Sequence, residues 1–154
     1  VYKWVRISDD PDNESLSTCG NNNPGADIDA VAIVRGGSII GWVDQIVADK
    51  LGSTCGTNTA ANPNEVKGNE LDPDASDAEN MFLSLNGGEI SVHFADMTTG
   101  TEIVIQKGDQ IKVFEIPGTG SGQTEYYDVD LCEDAGCATS LALGNGSGEA
   151  QFTY

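Results

Sequence analysis

Asp27 and Asp29 stand two residues apart in the run Ala26-Asp27-Ile28-Asp29-Ala30-Val31. On a strand this spacing sends both carboxylates to one side, ~6.5–7 Å apart at their Cα atoms. Glu115 lies in Ile111-Lys112-Val113-Phe114-Glu115-Ile116, between apolar residues, where a lone carboxylate needs a partner. A third source of oxygen is the acidic stretch that carries Asp72, Asp74, Asp77 and Glu79. Calcium takes six to eight oxygens and gathers them readily from separate loops. The expected metal site is therefore Ca²⁺ held by Asp27, Asp29, Asp74 and Glu115, with Asp72 in reserve. It is not an EF-hand: from Asp72 onward the sixth position is Asp77 instead of glycine, and the twelfth is Leu83 instead of glutamate. The plainer alternative is a set of solvated carboxylates and one edge glutamate.

Catalytic patterns are missing. The single histidine, His93, alternates with Ser91 and Glu89 on the polar side of a strand, which reads as an exposed residue. No Gly-x-Ser-x-Gly elbow, phosphate-binding glycine loop or zinc-protease helix occurs, and the expectation is that the chain is not an enzyme. A carboxylate pair for sugar hydrolysis means little where Asp and Glu together number 25. For sugar binding, the available aromatic platforms are Trp42, Tyr126 and Tyr127.

The formal charge of −18 argues against nucleic acid, which is bound through Lys and Arg clusters, and favours divalent cations. No apolar run approaches the ~18 residues of a membrane span. The start Val1-Tyr2-Lys3-Trp4 reads as a mature N-terminus whose export signal has gone. The four cysteines, Cys19, Cys55, Cys132 and Cys137, allow three pairings. The Cys132-Glu-Asp-Ala-Gly-Cys137 segment suits a bridge that closes one hairpin, which leaves Cys19 for Cys55. Two disulfides imply an oxidising, extracellular setting. Two glycosylation sequons begin at Asn13 and Asn145.

Abundant glycine and period-two patterning predict many short strands joined by tight turns. Ile28–Val34 turns at Gly36-Gly37 into Ile39–Val43. Met81–Leu85 turns at Asn86-Gly87-Gly88 into Glu89–Phe94, where Ile90, Val92 and Phe94 share a face. Ile103–Ile105, Gln110–Ile116, Tyr126–Cys132, Thr139–Leu143 and Ala150–Tyr154 complete the set. Gly41–Leu51 fits helix or strand followed by loop about equally. The expected fold is all-β, a jelly-roll-type antiparallel sandwich of about nine or ten strands. Residues 26–154 form its single domain.

Residues 1–8 differ from the rest. They hold no acidic residue, contain two of the chain's seven basic residues (Lys3 and Arg6), and precede a polar tether over residues 9–25. Such a strand completes its own sheet or docks on a neighbouring copy. Val1, Val5 and Ile7 share the face expected against a core, with Tyr2 and Trp4 on the other; Lys3 shares the inward parity and argues for a rim position. Tyr2, Trp4 and the three inward residues are thus the candidate assembly set.

Three ordered segments carry a family resemblance: Ala26-Asp27-Ile28-Asp29-Ala30-Val31; Leu71-Asp72-Pro73-Asp74 leading to Phe82-Leu83-Ser84-Leu85-Asn86-Gly87-Gly88-Glu89-Ile90; and Ile111-Lys112-Val113-Phe114-Glu115. Together, over about residues 26–135, the chain resembles a bacterial extracellular β-sandwich family of surface and sorting-signal proteins. It departs from that pattern at Asp72, where glycine is usual, and at Asn86. The resemblance implies secretion and a jelly-roll-like fold, and carries no settled activity. The combined expectation is a secreted structural subunit that self-associates into a filament or surface layer by N-terminal strand donation, stabilised by calcium. The alternative is a glycan-binding or adhesive module.

Overall fold

The computed structural model describes residues 1–10, 25–52, 60–68, 82–116 and 125–154. Nine strands are found among these residues: β1 Trp4–Asp9, β2 Asp27–Arg35, β3 Ser38–Lys50, β4 Leu83–Ser84, β5 Glu89–Asp96, β6 Gln110–Glu115, β7 Tyr127–Cys132, β8 Ser140–Gly146 and β9 Ala150–Thr153. The only other regular element among the described residues is a 3₁₀ turn, Pro63–Val66, capped by the Asn62 side chain. No helix among them is long and apolar enough to cross a membrane.

All pairing is antiparallel, within one continuous sheet ordered β8-β7-β1-β5-β3-β2-β6-β9, with β4 added beside β2. The fold is all-β as the period-two pattern predicts, but the strands form one sheet that curls until it is nearly closed. Gly144 and Gly146 of β8 lie against Phe152 of β9 where the two ends of the sheet approach. The inward residues of every major strand meet in one core that includes Val5, Ile7, Ile28, Val31, Ile33, Ile90, Val92, Phe94, Ile111, Val113, Tyr127, Val129 and Leu131.

Local chemistry accounts for the connections. Gly36 and Gly37 have φ of 61° and 84°, which two consecutive left-handed positions of a tight hairpin require. Gly41–Leu51 resolves as strand, since Ser38–Lys50 is one long β3. It bends where its register against β5 shifts, between Val43 and Gln45 and again between Val47 and Lys50. The Asn86-Gly87 turn forms, but the strands it joins do not pair with each other: β4 pairs with β2, and β5 with β1 and β3. Ile103–Ile105 is not a strand; its place is marked by a single bridge between Ala95 and Glu102, and Ile103 and Ile105 are buried beneath it.

Cys132 and Cys137 are bridged across the β7–β8 connection, at a Cα separation of 4.9 Å. Cys19 and Cys55 lie outside the described residues. By loop-closure entropy a bridge around so short a loop is worth about 2 kcal/mol. Replacing both Cys132 and Cys137 by serine should lower the free energy of unfolding, measured by denaturant titration, by that amount and leave the far-ultraviolet circular dichroism unchanged.

Candidate functional site

β1 lies in the middle of the sheet, with β7 on one side and β5 on the other. Val5 faces Val92 and Leu131 across the two ladders, and Ile7 faces Ile90 and Val129. Val5 and Ile7 are completely buried. The groove between β5 and β7 is thus an apolar slot two side chains long on its inner side.

Charged groups line its outer side. The Arg6 guanidinium donates to one carboxylate oxygen of Asp130, from Nε at 3.0 Å and Nη2 at 2.6 Å, and its Nη1 lies 3.8 Å from Glu89. Lys3 Nζ meets Glu102 at 2.6 Å. The Lys3 ammonium, and after it His93, holds the Glu102 carboxyl below its ordinary range. The Trp4 ring rests on the His93 ring at 5.1 Å between centroids.

The candidate assembly residues divide. Trp4, Val5 and Ile7 follow strand parity as expected. Residues 1–3 precede the ladder and do not: Val1 is 74% exposed instead of facing the core. Tyr2 packs against the main core, edge-on to Tyr154 with centroids 5.5 Å apart. Ile105 N–H donates to the Tyr2 carbonyl at 3.0 Å, so this end is held by the 103–105 segment.

The strand also runs one residue further than the 1–8 boundary, and the added residue, Asp9, is the feature that sequence reasoning missed. Its side chain is buried and accepts hydrogen bonds from the Ala26 N–H at 2.8 Å and from the Gly87 N–H. It therefore ties the end of β1 to the start of β2 and to the β4–β5 turn. Gly25 makes room for it: a Cβ there would stand 2.1 Å from Asp9 Oδ2, and its φ is +84°. Burial, partly opposed by these two N–H donors and reinforced by nearby Glu115, pushes the Asp9 carboxyl up to about 7. Asp9 falls in a stretch that reads as polar tether, and nothing local distinguishes it from Asp10.

His93 corrects the sequence reading. It is 4% exposed, with Nδ1 at 2.8 Å from Asp44 and Nε2 at 3.1 Å from Glu102. The outer face of β5 is covered at this point by Trp4 and by the 97–105 connection. His93 is thus an element of the β1 docking surface with both ring nitrogens engaged.

Of the proposed metal ligands, Asp27, Asp29 and Glu115 fall among the described residues, and these three are not gathered into a group that could hold a metal ion. Asp27 and Asp29 are both buried on β2, but Asp29 is the extra residue of a bulge against β6, so strict alternation fails there. Glu115 shares parity with the core residues Ile111 and Val113, whereas Asp27 has the opposite parity to core Ala26 and Ile28. Glu115 instead accepts from the Gly148 N–H at 2.6 Å, and burial raises its carboxyl above the ordinary range. Gly148 in turn accepts from the Tyr127 hydroxyl at 2.6 Å. Asp74 and the rest of the acidic 71–79 stretch lie outside the described residues. Among those described, no group of three or more His, Cys, Asp or Glu could hold a metal ion.

The aromatic platforms are packed away. Trp42 is 9% exposed and stacks on Phe114 outside the main core, Tyr127 is fully buried, and Tyr126 is half-buried. Asn145 is exposed on β8, with its amide donating to Asp10 at 2.8 Å and Asp128 at 3.1 Å; an attached glycan would leave one N–H and so keep at most one of these bonds. Asn13 lies outside the described residues. No family model matches the chain, and no curated protein or solved structure matches it significantly.

Proposed function

We propose that this protein is a secreted structural subunit that self-associates into a filament or surface assembly by exchanging β1 between copies. The observation that carries the reading is the position of β1. It is a mid-sheet strand, hydrogen-bonded on both edges, yet its ladder partners lie at residues 89–93 and 127–132, far along the chain. Only residues 10–25 join it to β2. Asp9, at its exit, lies within a hydrogen bond of Ala26, where the next strand begins. A strand so connected can leave its own groove and enter that of a second copy while every contact is reproduced in trans. The sixteen residues between Asp9 and Ala26 can reach ~50 Å when extended, more than twice the ~20 Å length of β1. The contacts in cis and in trans are the same, so concentration and strain in the tether set the balance.

Secretion belongs to the same proposal. It is supported by the Cys132–Cys137 bridge, which suits an oxidising compartment, and by the motif order that resembles bacterial extracellular sandwiches. Calcium enters as a second element of the proposal, through the acidic 71–79 stretch. The glycan-binding alternative has no exposed aromatic platform among Trp42, Tyr126 and Tyr127 to favour it.

The test is negative-stain electron microscopy of the protein over a range of concentrations, with and without EDTA. Regular fibres are the expected result, and their loss in EDTA would give calcium a part in assembly. Single particles at every concentration would overturn the reading.

A further inference from the structure

The charges along β1 do more than decorate it. Strand parity groups position 3 with Val5, Ile7 and Asp9; Lys3 itself precedes the ladder and meets Glu102 on the outer side, so the two buried apolar residues are bounded by a cationic residue before them and a carboxyl after them. A two-residue slip in one direction would push Lys3 into the slot of Val5 between Val92 and Leu131. A slip in the other would push Asp9 into the slot of Ile7 between Ile90 and Val129. The first buries the Lys3 ammonium among apolar residues; the second takes the Asp9 carboxyl away from its Ala26 and Gly87 donors and leaves it there without them. A one-residue slip turns the whole strand over and exposes Val5 and Ile7. On the outer side Arg6 meets Asp130 and Glu89, and Lys3 meets Glu102.

Long-range charge adds a second argument. The whole chain carries −18, so two copies repel. Lys3 and Arg6 are the two cations of the exchanged segment, and the rims of the groove that receives it are acidic.

Resting on the strand-exchange reading, we propose that residues 3–9 act as a self-address. Lys3 and Arg6 select the Glu102/Asp130 groove of a second copy of this chain as their acceptor, and Lys3 with Asp9 fixes the register. A strand of equal hydrophobicity with the charges reversed is rejected by the same groove.

Ser8 and Asp128 are ladder partners, so one cysteine on each of two chains reports whether β1 of the first occupies the groove of the second. Full-length chains carrying Ser8→Cys are mixed with full-length chains carrying Asp128→Cys, oxidised, and run on a non-reducing gel. With native charges elsewhere, covalent dimers between chains are expected. Adding Lys3→Glu and Arg6→Glu to the donor should lower their yield about tenfold, because attractive rim contacts become repulsive. Adding Glu102→Lys and Asp130→Arg to the acceptor should restore it. Native-charge dimers that are insensitive to donor reversal would overturn the address and leave strand exchange standing. No dimer in any mixture would remove strand exchange, and the address with it. Should a reversed chain fail to fold, as judged by circular dichroism, the neutral donor Lys3→Gln/Arg6→Gln replaces it, and the same comparison decides.

Discussion

Replacing Ile7 by alanine should lower the free energy of unfolding by about 3 kcal/mol, within the range for large-to-small changes in a sealed core. Ile7 is completely buried between Ile90 and Val129, and the surrounding sheet is tied down on both sides, so the vacated space has little means of collapsing. Val1→Ala, at a side chain 74% exposed, is the control and should change stability by less than about 0.5 kcal/mol. Urea unfolding followed by circular dichroism gives both numbers. A loss below about 1 kcal/mol at Ile7 would mean that β1 is not part of the cooperative core. The same titrations carry a second readout. If β1 occupies its own groove, the midpoint is independent of protein concentration; if it occupies that of a neighbour, the midpoint rises with concentration.

Raising the pH from 5 to 8 should destabilise the protein, and Asp9 should be the largest single cause. A carboxyl raised in the folded state stays protonated there while its unfolded counterpart has already ionised. Between the ordinary value of 3.8 and about 7 the folded state thus binds more protons, and unfolding becomes easier as pH rises. The contribution is fully present below 3.8 and has gone above about 7. An interval of that width corresponds to an upper figure of about 4 kcal/mol, and hence a fall of up to ~10 °C in thermal midpoint for a chain of this size. Glu115, also raised by burial, acts with the same sign. Asp109 works in the opposite sense at acid pH: burial acts to raise it, but the Arg35 guanidinium beside it holds it low. Asp9→Asn cannot titrate. Its melting curve should lose most of the slope between pH 5 and 7, even though the added amide N–H₂ fits poorly against the Ala26 and Gly87 donors and lowers stability overall. An Asp9→Asn protein with the wild-type slope would show that the pH dependence arises elsewhere.

The strands were legible wherever alternation and turn chemistry agreed. Ile28–Val34, Gly36-Gly37 and Ile39–Val43 became β2, a hairpin turn and the start of β3, because two glycines in sequence admit few other backbones. The cysteine spacing gave the 132–137 bridge for a similar local reason. What alternation reports is which side of a strand a residue takes, and it says nothing of what covers that side. His93 was therefore placed correctly on the outer face and wrongly in solvent, since Trp4, Asp44 and Glu102 come from other parts of the chain. Asp29 defeated the reading differently: a bulge inserts one residue, so spacing by two no longer means the same direction. Asp9 could not be found at all, because its importance depends on Ala26 and Gly87 arriving beside it. The charge contrast proposed as an address was half visible: the cations of residues 1–8 stood out in an acidic chain, while the carboxylates that meet them were scattered among the chain's 25 acidic residues.

The place of β1 also sets a timetable. Among the described residues, only two ladders, β2 with β3 and β7 with β8, join consecutive strands; Trp4 pairs with His93 on one side and Cys132 on the other. Such long-range closure makes for slow folding. A chain synthesised from its N-terminus presents residues 4–9 first and must wait for both walls of their slot to follow. During that interval the segment is an unpaired, partly apolar strand, and the finished walls form an empty slot. If copies exchange β1 as proposed, each nascent chain is then at once a ligand and a receptor, and crowding of newly made copies raises the chance that the slot is filled from outside.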